Sequence, residues 1–194
     1  MNITKRIKRS VRLYHSFRLL LIHGGAKRAA YLKKHNILGC IGDNCKWGPW
    51  LIPLYPKLIR LGNNVHVHKT ARLVTHDMLN RFLKTREPNA DFGHGEKLGC
   101  IELQDNVYIS MNVTIMSDVR IGKDCIVSCG SVVTSDIPSN SLASGNPAKP
   151  TGRFDMFVAL RKMSKAQSIP VKNQALDSAT AEELWTRFQK RRDK

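Results

Sequence analysis

Acidic residues are scarce: 15 Asp and Glu stand against 32 Lys and Arg in 194 residues, a net charge of +17, and none precedes Asp43. Such a surface is drawn to something anionic, whether membrane, nucleic acid or phosphorylated substrate. Long apolar runs are missing too. The run from Leu19 to Ile22 falls far short of the ~20 residues that cross a bilayer, and no small-residue cleavage pattern follows it, so neither a spanning segment nor a secretory leader is expected. The five cysteines, Cys40, Cys45, Cys100, Cys125 and Cys129, are odd in number and include no C-x-x-C pair. That argues against a disulfide framework or a thiolate zinc site, and for reduced thiols in a cytoplasmic protein. Aromatic residues form no stripe interleaved with the cations and no nucleic-acid-binding module is recognised, which sets nucleic acid behind the other anionic partners.

What the chain has instead is a period of six. Leu103, Ile109, Ile115, Ile121, Val127 and Val133 are all aliphatic, and the fourth residue after each, Val107, Val113, Val119, Cys125, Ser131 and Ile137, is small or branched. Six fits neither the 3.6-residue helical period nor two-residue alternation, and β-branched residues favour short strands joined by regular corners. A β-meander would not hold this phase over so many turns. The expected fold class is mainly β: a left-handed parallel β-helix, three hexads to a coil, with the aliphatic residue pointing into the shaft. Cys125 and Cys129 are expected to pack there as small hydrophobes.

The hexads restart twice upstream, at Ile41 and at Leu61, around an interruption from Trp47 to Pro56 that holds three prolines and two tryptophans. Leu61 to Met78 reads as one complete coil. From Asp77 to Gly99 the period is lost, and a long excursion from a regular solenoid is usually functional. Residues 1–38 read as a basic amphipathic helical arm, with Ile3, Ile7, Val11, Tyr14, Phe17 and Leu21 on one stripe and a break at Gly24-Gly25. Two uses suit that stripe: lying in an anionic membrane surface, or capping the open end of the coil. Residues 39–150 form the β-helix domain with its excursion at 77–99. Ser139-Asn140-Ser141 and Gly145-Asn146-Pro147 are expected to turn the chain out of the repeat. A C-terminal helical tail, 151–194, has one helix from Arg153 to Lys165, a polar linker, and a last helix opening on the capping-box spacing Thr180 to Glu183. That helix suits a trimer clasp, a membrane contact or partner docking alike.

The segments Asp105 to Asn112, Val119 to Gly122, Gly130 to Pro138 and Gly145 to Lys149 together resemble the hexapeptide-repeat acyltransferases, nearest to the bacterial O-acetyltransferases that modify surface-polysaccharide sugars. The resemblance covers roughly residues 40 to 153. It implies acetyl-CoA as donor, no metal, a homotrimer and a carbohydrate acceptor. A histidine on the coil just before the excursion is the family's general base, and Val74-Thr75-His76-Asp77 occupies that place. Transfer to a hydroxyl needs such a base, and a neutral imidazole suits it near neutral pH. Asp77 has three readings: orienting the imidazole, binding an acceptor hydroxyl, or forming a turn. The resemblance implies a donor groove bordered by Ser110, Met111, Cys129, Thr134 and Ser135, closed by Pro147-Ala148-Lys149, with Lys149 and Arg153 suited to nucleotide phosphates. Met111 replaces a usual Gly, Ala or Ser, Ser135 replaces a common lysine, and Arg153 lies one residue off the frequent arginine. His94, between two glycines of the excursion, is the candidate substrate-binding residue, placed to reach the acceptor or the neighbouring subunit.

Two other readings stay in view. His66 and His68 alternate on one strand, as zinc ligands do in the γ-class carbonic anhydrases on this same coil, but no third ligand stands at a matching spacing. A catalytically inert hexapeptide scaffold within a polysaccharide assembly complex would also carry these repeats.

Overall fold

The structure, a computed structural model, describes residues 9–93, 95–163, 176–190 and 192. His94, the first part of the arm with Ile3 and Ile7, and the linker at 164–175 lie outside the described residues. Two compact units divide the chain at Phe157/Val158.

The first unit opens with two helices, α1 (Arg9–Leu21) and α2 (Gly25–Lys34), separated at Gly24, whose φ of 94° is the left-handed conformation glycine tolerates. The coil then builds turn by turn. The first turn contributes β1 (Cys40–Ile41) and β2 (Lys46–Trp47), the second β3 (Ile59–Leu61), β4 (His66–Val67) and β5 (Arg72–Leu73). The excursion follows as β6 (His76–Asp77), α3 (Leu79–Arg86) and β7 (Lys97–Leu98). Regular turns resume with β8 (Ile101–Leu103), β9 (Val107–Ile109) and β10 (Thr114–Ile115), then β11 (Val119–Ile121), β12 (Cys125–Val127) and β13 (Val132–Val133). β14 (Ser141–Gly145) and β15 (Ala148–Arg153) close the unit, and α4 (Phe154–Met163) follows.

Three parallel sheets result, one for each face of a prism. The first stacks β1, β3, β8 and β11; the second β2, β4, β9, β12 and β14, with antiparallel β15 at its edge; the third β5, β10 and β13. Ile101 pairs with Val119 and Val107 with Cys125, so the register offset is 18 residues, three hexads. Across the excursion Arg72 pairs with Thr114, an offset of 42, and the faces nevertheless stay aligned. All six aliphatic hexad residues from Leu103 to Val133 are 0% exposed, and their partners at the fourth position are buried as well. Burial of that repeated pair is what converts the six-residue period into a shaft.

Left-handed backbone recurs where the first face turns into the second. Asn44, Asn64, Asn106, Asp124 and Asn140 all have φ between 53° and 60°, the conformation that Asn and Asp tolerate best after glycine. The side chains of Asn44, Asn64, Asn106 and Asp124 form a hydrogen-bonded ladder along that corner, each Nδ2 donating to the next oxygen at 2.8–3.0 Å.

The first turn has no strand on the third face. Ile52, 1% exposed, fills the gap, held by a hydrogen bond from Arg12 to its carbonyl and from its own N–H to Ser16 Oγ. The helices thus close the coil's open end, with Ser16, Leu19, Ala29 and Leu32 buried. Of the two uses open to the arm's stripe, its described part does not take that of capping the coil. Val11, Tyr14, Phe17 and Leu21 are exposed, because α1 packs through the opposite side.

Three local expectations change. Ser141 does not leave the repeat: β14 continues parallel beside β12, and reversal comes at Asn146-Pro147, after which β15 runs back along β14. Cys129 does not pack inside, since it lies at a corner and is exposed, while Cys125 is buried. The second unit carries α5 (Ser178–Lys190), whose N-terminus is capped by Asp177 rather than Thr180: its carboxylate accepts from the Thr180 N–H and hydroxyl, both at 2.8 Å.

Candidate active site

The excursion leaves at the corner between the third face and the first. Thr75, fully buried, donates from Oγ1 to the Leu54 carbonyl at 2.5 Å. β6 and β7 then pair antiparallel, His76 opposite Leu98 and Asp77 opposite Lys97, and the Gly99 N–H returns to the Thr75 carbonyl at 3.0 Å. Twenty-odd residues therefore begin and end at one point, and Ile101 re-enters in register. Gly99 permits the closure: a Cβ there would stand 2.4 Å from the Asp118 carboxylate.

His76 lies in the base of this hairpin, half-buried, with its ring edge-on to Tyr55 at 5.8 Å between centroids. Tyr55 comes from the Trp47–Pro56 interruption, and its hydroxyl donates to Glu96 Oε2 at 2.8 Å, on the returning arm of the excursion. The imidazole is thus packed against a ring that is itself anchored to the excursion. Its Nδ1 is buried and meets no hydrogen-bond partner among the described residues, an unusual state for a buried polar atom and one that functional groups commonly show. Asp77 does not turn toward the imidazole in a hydrogen bond: its Oδ1 accepts from the Leu79 N–H at 2.5 Å and so starts α3. Tyr55 and Glu96 were not among the residues singled out from the sequence. The broken period at Trp47–Pro56 was the available signal, and it marks the segment without naming the residue.

The expected donor residues fall on two corners that flank the narrow third face. Ser110 and Met111 lie between β9 and β10, and Cys129 at the same corner one coil on, where the Gly130 N–H donates to the Met111 carbonyl at 2.9 Å. Thr134 and Ser135 follow β13, on the corner that the excursion leaves two coils earlier. Met111, Cys129, Thr134 and Ser135 are exposed, and Ser110 is half-exposed. The wall they border is open, with three hydroxyls and a thiol beside the larger Met111. Lys149 is exposed on β15, but Arg153 is engaged: its Nη2 and Nε donate to the Asp155 carboxylate at 2.5 and 3.1 Å. That pairing raises the arginine pKa and holds Asp155 below the usual carboxylate range. Cys125 belongs to packing, its thiol pKa pushed up by burial.

A groove of about 850 Å³ runs between residues 47–54 and the third face, lined by Arg12, Trp50, Leu54, Lys69, Arg72 and Thr114 among others. His66 and His68 do not converge on a common centre. His66 lies beside Tyr108, its pKa lowered by burial and then by Lys46, and His68 Nδ1 meets Thr70 Oγ1 at 3.0 Å. Among the described residues no three His, Cys, Asp or Glu are grouped to hold a metal ion.

Comparison with known proteins places this geometry. Residues 101–135 match the family described as "Bacterial transferase hexapeptide (six repeats)". A Schizosaccharomyces pombe protein named "Putative acetyltransferase" is 39% identical over 98 residues, 50% of this chain and 44% of that protein. The chain thus spans less than half the length of this curated relative. Among solved structures, a hexapeptide-repeat acetyltransferase of Vibrio cholerae complexed with acetyl coenzyme A superposes with a TM-score of 0.57 at 20% identity, covering 75% of this chain and 86% of that one. A galactoside acetyltransferase in complex with coenzyme A gives 0.57 at 19% identity, covering 92% and 93%. Residues 101–135 thus carry the repeat of this family, and over three quarters of its length or more the chain has the fold of the acetyltransferase structures compared.

Proposed function

We propose that the protein is an acetyl-CoA-dependent O-acetyltransferase acting on a sugar hydroxyl of a bacterial surface polysaccharide or its lipid-linked precursor. The coil is taken as left-handed on its fold likeness, and the active unit as a homotrimer in which each site uses two chains. The observation that carries the reading is the place of His76: a half-buried imidazole, braced by Tyr55, where a hexapeptide wall opens into its excursion.

Acetyl-CoA supplies the activated acyl group when bound. Met111, Cys129, Thr134 and Ser135 border its path, and Lys149 meets its phosphates. His76 accepts the proton of the sugar hydroxyl as that oxygen bonds to the thioester carbonyl carbon, and returns it to the departing thiolate. A backbone N–H steadies the oxyanion. No acyl-enzyme forms, so donor and acceptor bind together. Asp77 acts on this site indirectly, by starting α3 where the excursion leaves.

The test is thioester cleavage by purified protein supplied with acetyl-CoA and a panel of sugars. Acceptor-dependent release of CoA is expected, and His76→Ala should reduce it by about a hundredfold or more while leaving donor binding nearly intact. Absence of cleavage with every sugar would favour an inert scaffold, and full turnover in folded His76→Ala would remove the histidine from its role.

A further inference from the structure

The outward stripe of α1 does not stand alone. Tyr14, Phe17 and Leu21 are 58%, 59% and 55% exposed. The segment that α1 holds through Ile52 exposes Trp50, Leu51 and Leu54. Leu54 is tied in turn to Thr75, the neighbour of His76, and past His76 the start of the excursion exposes Met78, Leu79 and Phe82. Three segments linked in succession therefore carry large apolar side chains into solvent, the last two of them adjoining His76. Arg18, Arg81 and Arg86 are exposed as well; no acid occurs before Asp43, whereas α3 is flanked by Asp77 and Glu87. Aromatic rings at the headgroup level, leucines beneath them and arginines against lipid phosphates are what the interface of an anionic bilayer accepts.

We propose that α1, residues 50–54 and α3 form one docking surface for an anionic lipid bilayer, which sets the His76 site at the membrane plane. That this bilayer also carries the acceptor, as a lipid-linked sugar, rests on the acetyltransferase reading; the docking does not.

Full-chain protein is sedimented with vesicles of phosphatidylglycerol and phosphatidylcholine in equal parts, and with phosphatidylcholine alone. Preference for the mixed vesicles is expected, weakened roughly tenfold by each of Phe17→Ser, Trp50→Ser and Phe82→Ser, since each withdraws one aromatic side chain from lipid. These positions are exposed, so circular dichroism and melting of the variants should match the parent. Equal binding to neutral vesicles overturns the proposal. So does anionic binding that salt abolishes but the three substitutions leave unchanged, which would be attraction by charge alone. A change of oligomeric mass in the variants, seen by sedimentation velocity, overturns it in favour of a second copy of this chain as the occupant. Vesicle binding lost in the variants, with no acetyl transfer to any sugar, supports the docking surface and removes the enzymatic reading.

Discussion

At the residue scale the account rests on how His76 is held. Its ring contacts Tyr55 edge-on, and Tyr55 is anchored by Glu96 from the far arm of the excursion. On the proposed role of His76, Tyr55 is a positioning residue, and these two of its contacts separate by substitution. Tyr55→Phe keeps the ring and loses the hydroxyl that meets Glu96; Tyr55→Ala loses both. Turnover is expected to fall about threefold to tenfold further in the alanine variant, the scale of one aromatic pair, with the KM for acetyl-CoA unchanged in both. Equal losses, or a loss confined to donor KM, would show that Tyr55 serves the wall and not the base. None of this trio was legible as a trio. Residues 55, 76 and 96 meet only because two irregular segments fold against one corner, and irregular segments carry no period to read. The place of His76 was legible, because it is the last residue before the phase breaks.

At the element scale, the helical clamp over the coil's open end responds to pH. His15 of α1 meets the Tyr31 hydroxyl of α2 at 2.8 Å, and its ring lies 5.4 Å from that of His35. Burial, then repulsion by His35, lowers the His15 pKa. A histidine with a depressed folded-state pKa binds protons more readily when unfolded, so its stabilising contribution is present above the ordinary imidazole pKa and is lost as pH falls through the lower folded value. Denaturant midpoints should therefore drop below about pH 6.5, and His15→Gln should flatten that dependence. A midpoint that rises on acidification, or an unchanged slope in the variant, would place the proton elsewhere. The same helices show what sequence pattern reveals and what it does not. The hexads from Leu103 to Ile137 were legible in full, because every coil repeats one burial pair. The stripe on α1 was legible as a stripe, but its direction was not: Ser16 and Leu19 take the inner side because Ser16 Oγ and Arg12 satisfy the backbone of Ile52. α3 was read as part of a loop, since its single short helix lies among glycine, proline and charge.

At the scale of the whole molecule, the three prism faces divide the work. The first two carry the ladder and most of the pairing, while the narrow third face, between the corners of Met111 and Thr134, supplies the expected wall for the donor. The net charge of +17 favours anionic partners at long range. On the proposed roles, the departures at Met111 and Ser135 fall on the donor wall and not at His76, so changes of donor preference and loss of catalysis should separate. A crystal structure with coenzyme A bound tests the account most directly. The thiol is predicted to lie beside the His76 imidazole of the same or an adjacent chain, the pantetheine arm to run along the Met111 and Cys129 corner, and the nucleotide phosphates to meet Lys149. Coenzyme A lying on another face of the prism, or with its nucleotide end at His76, would contradict it.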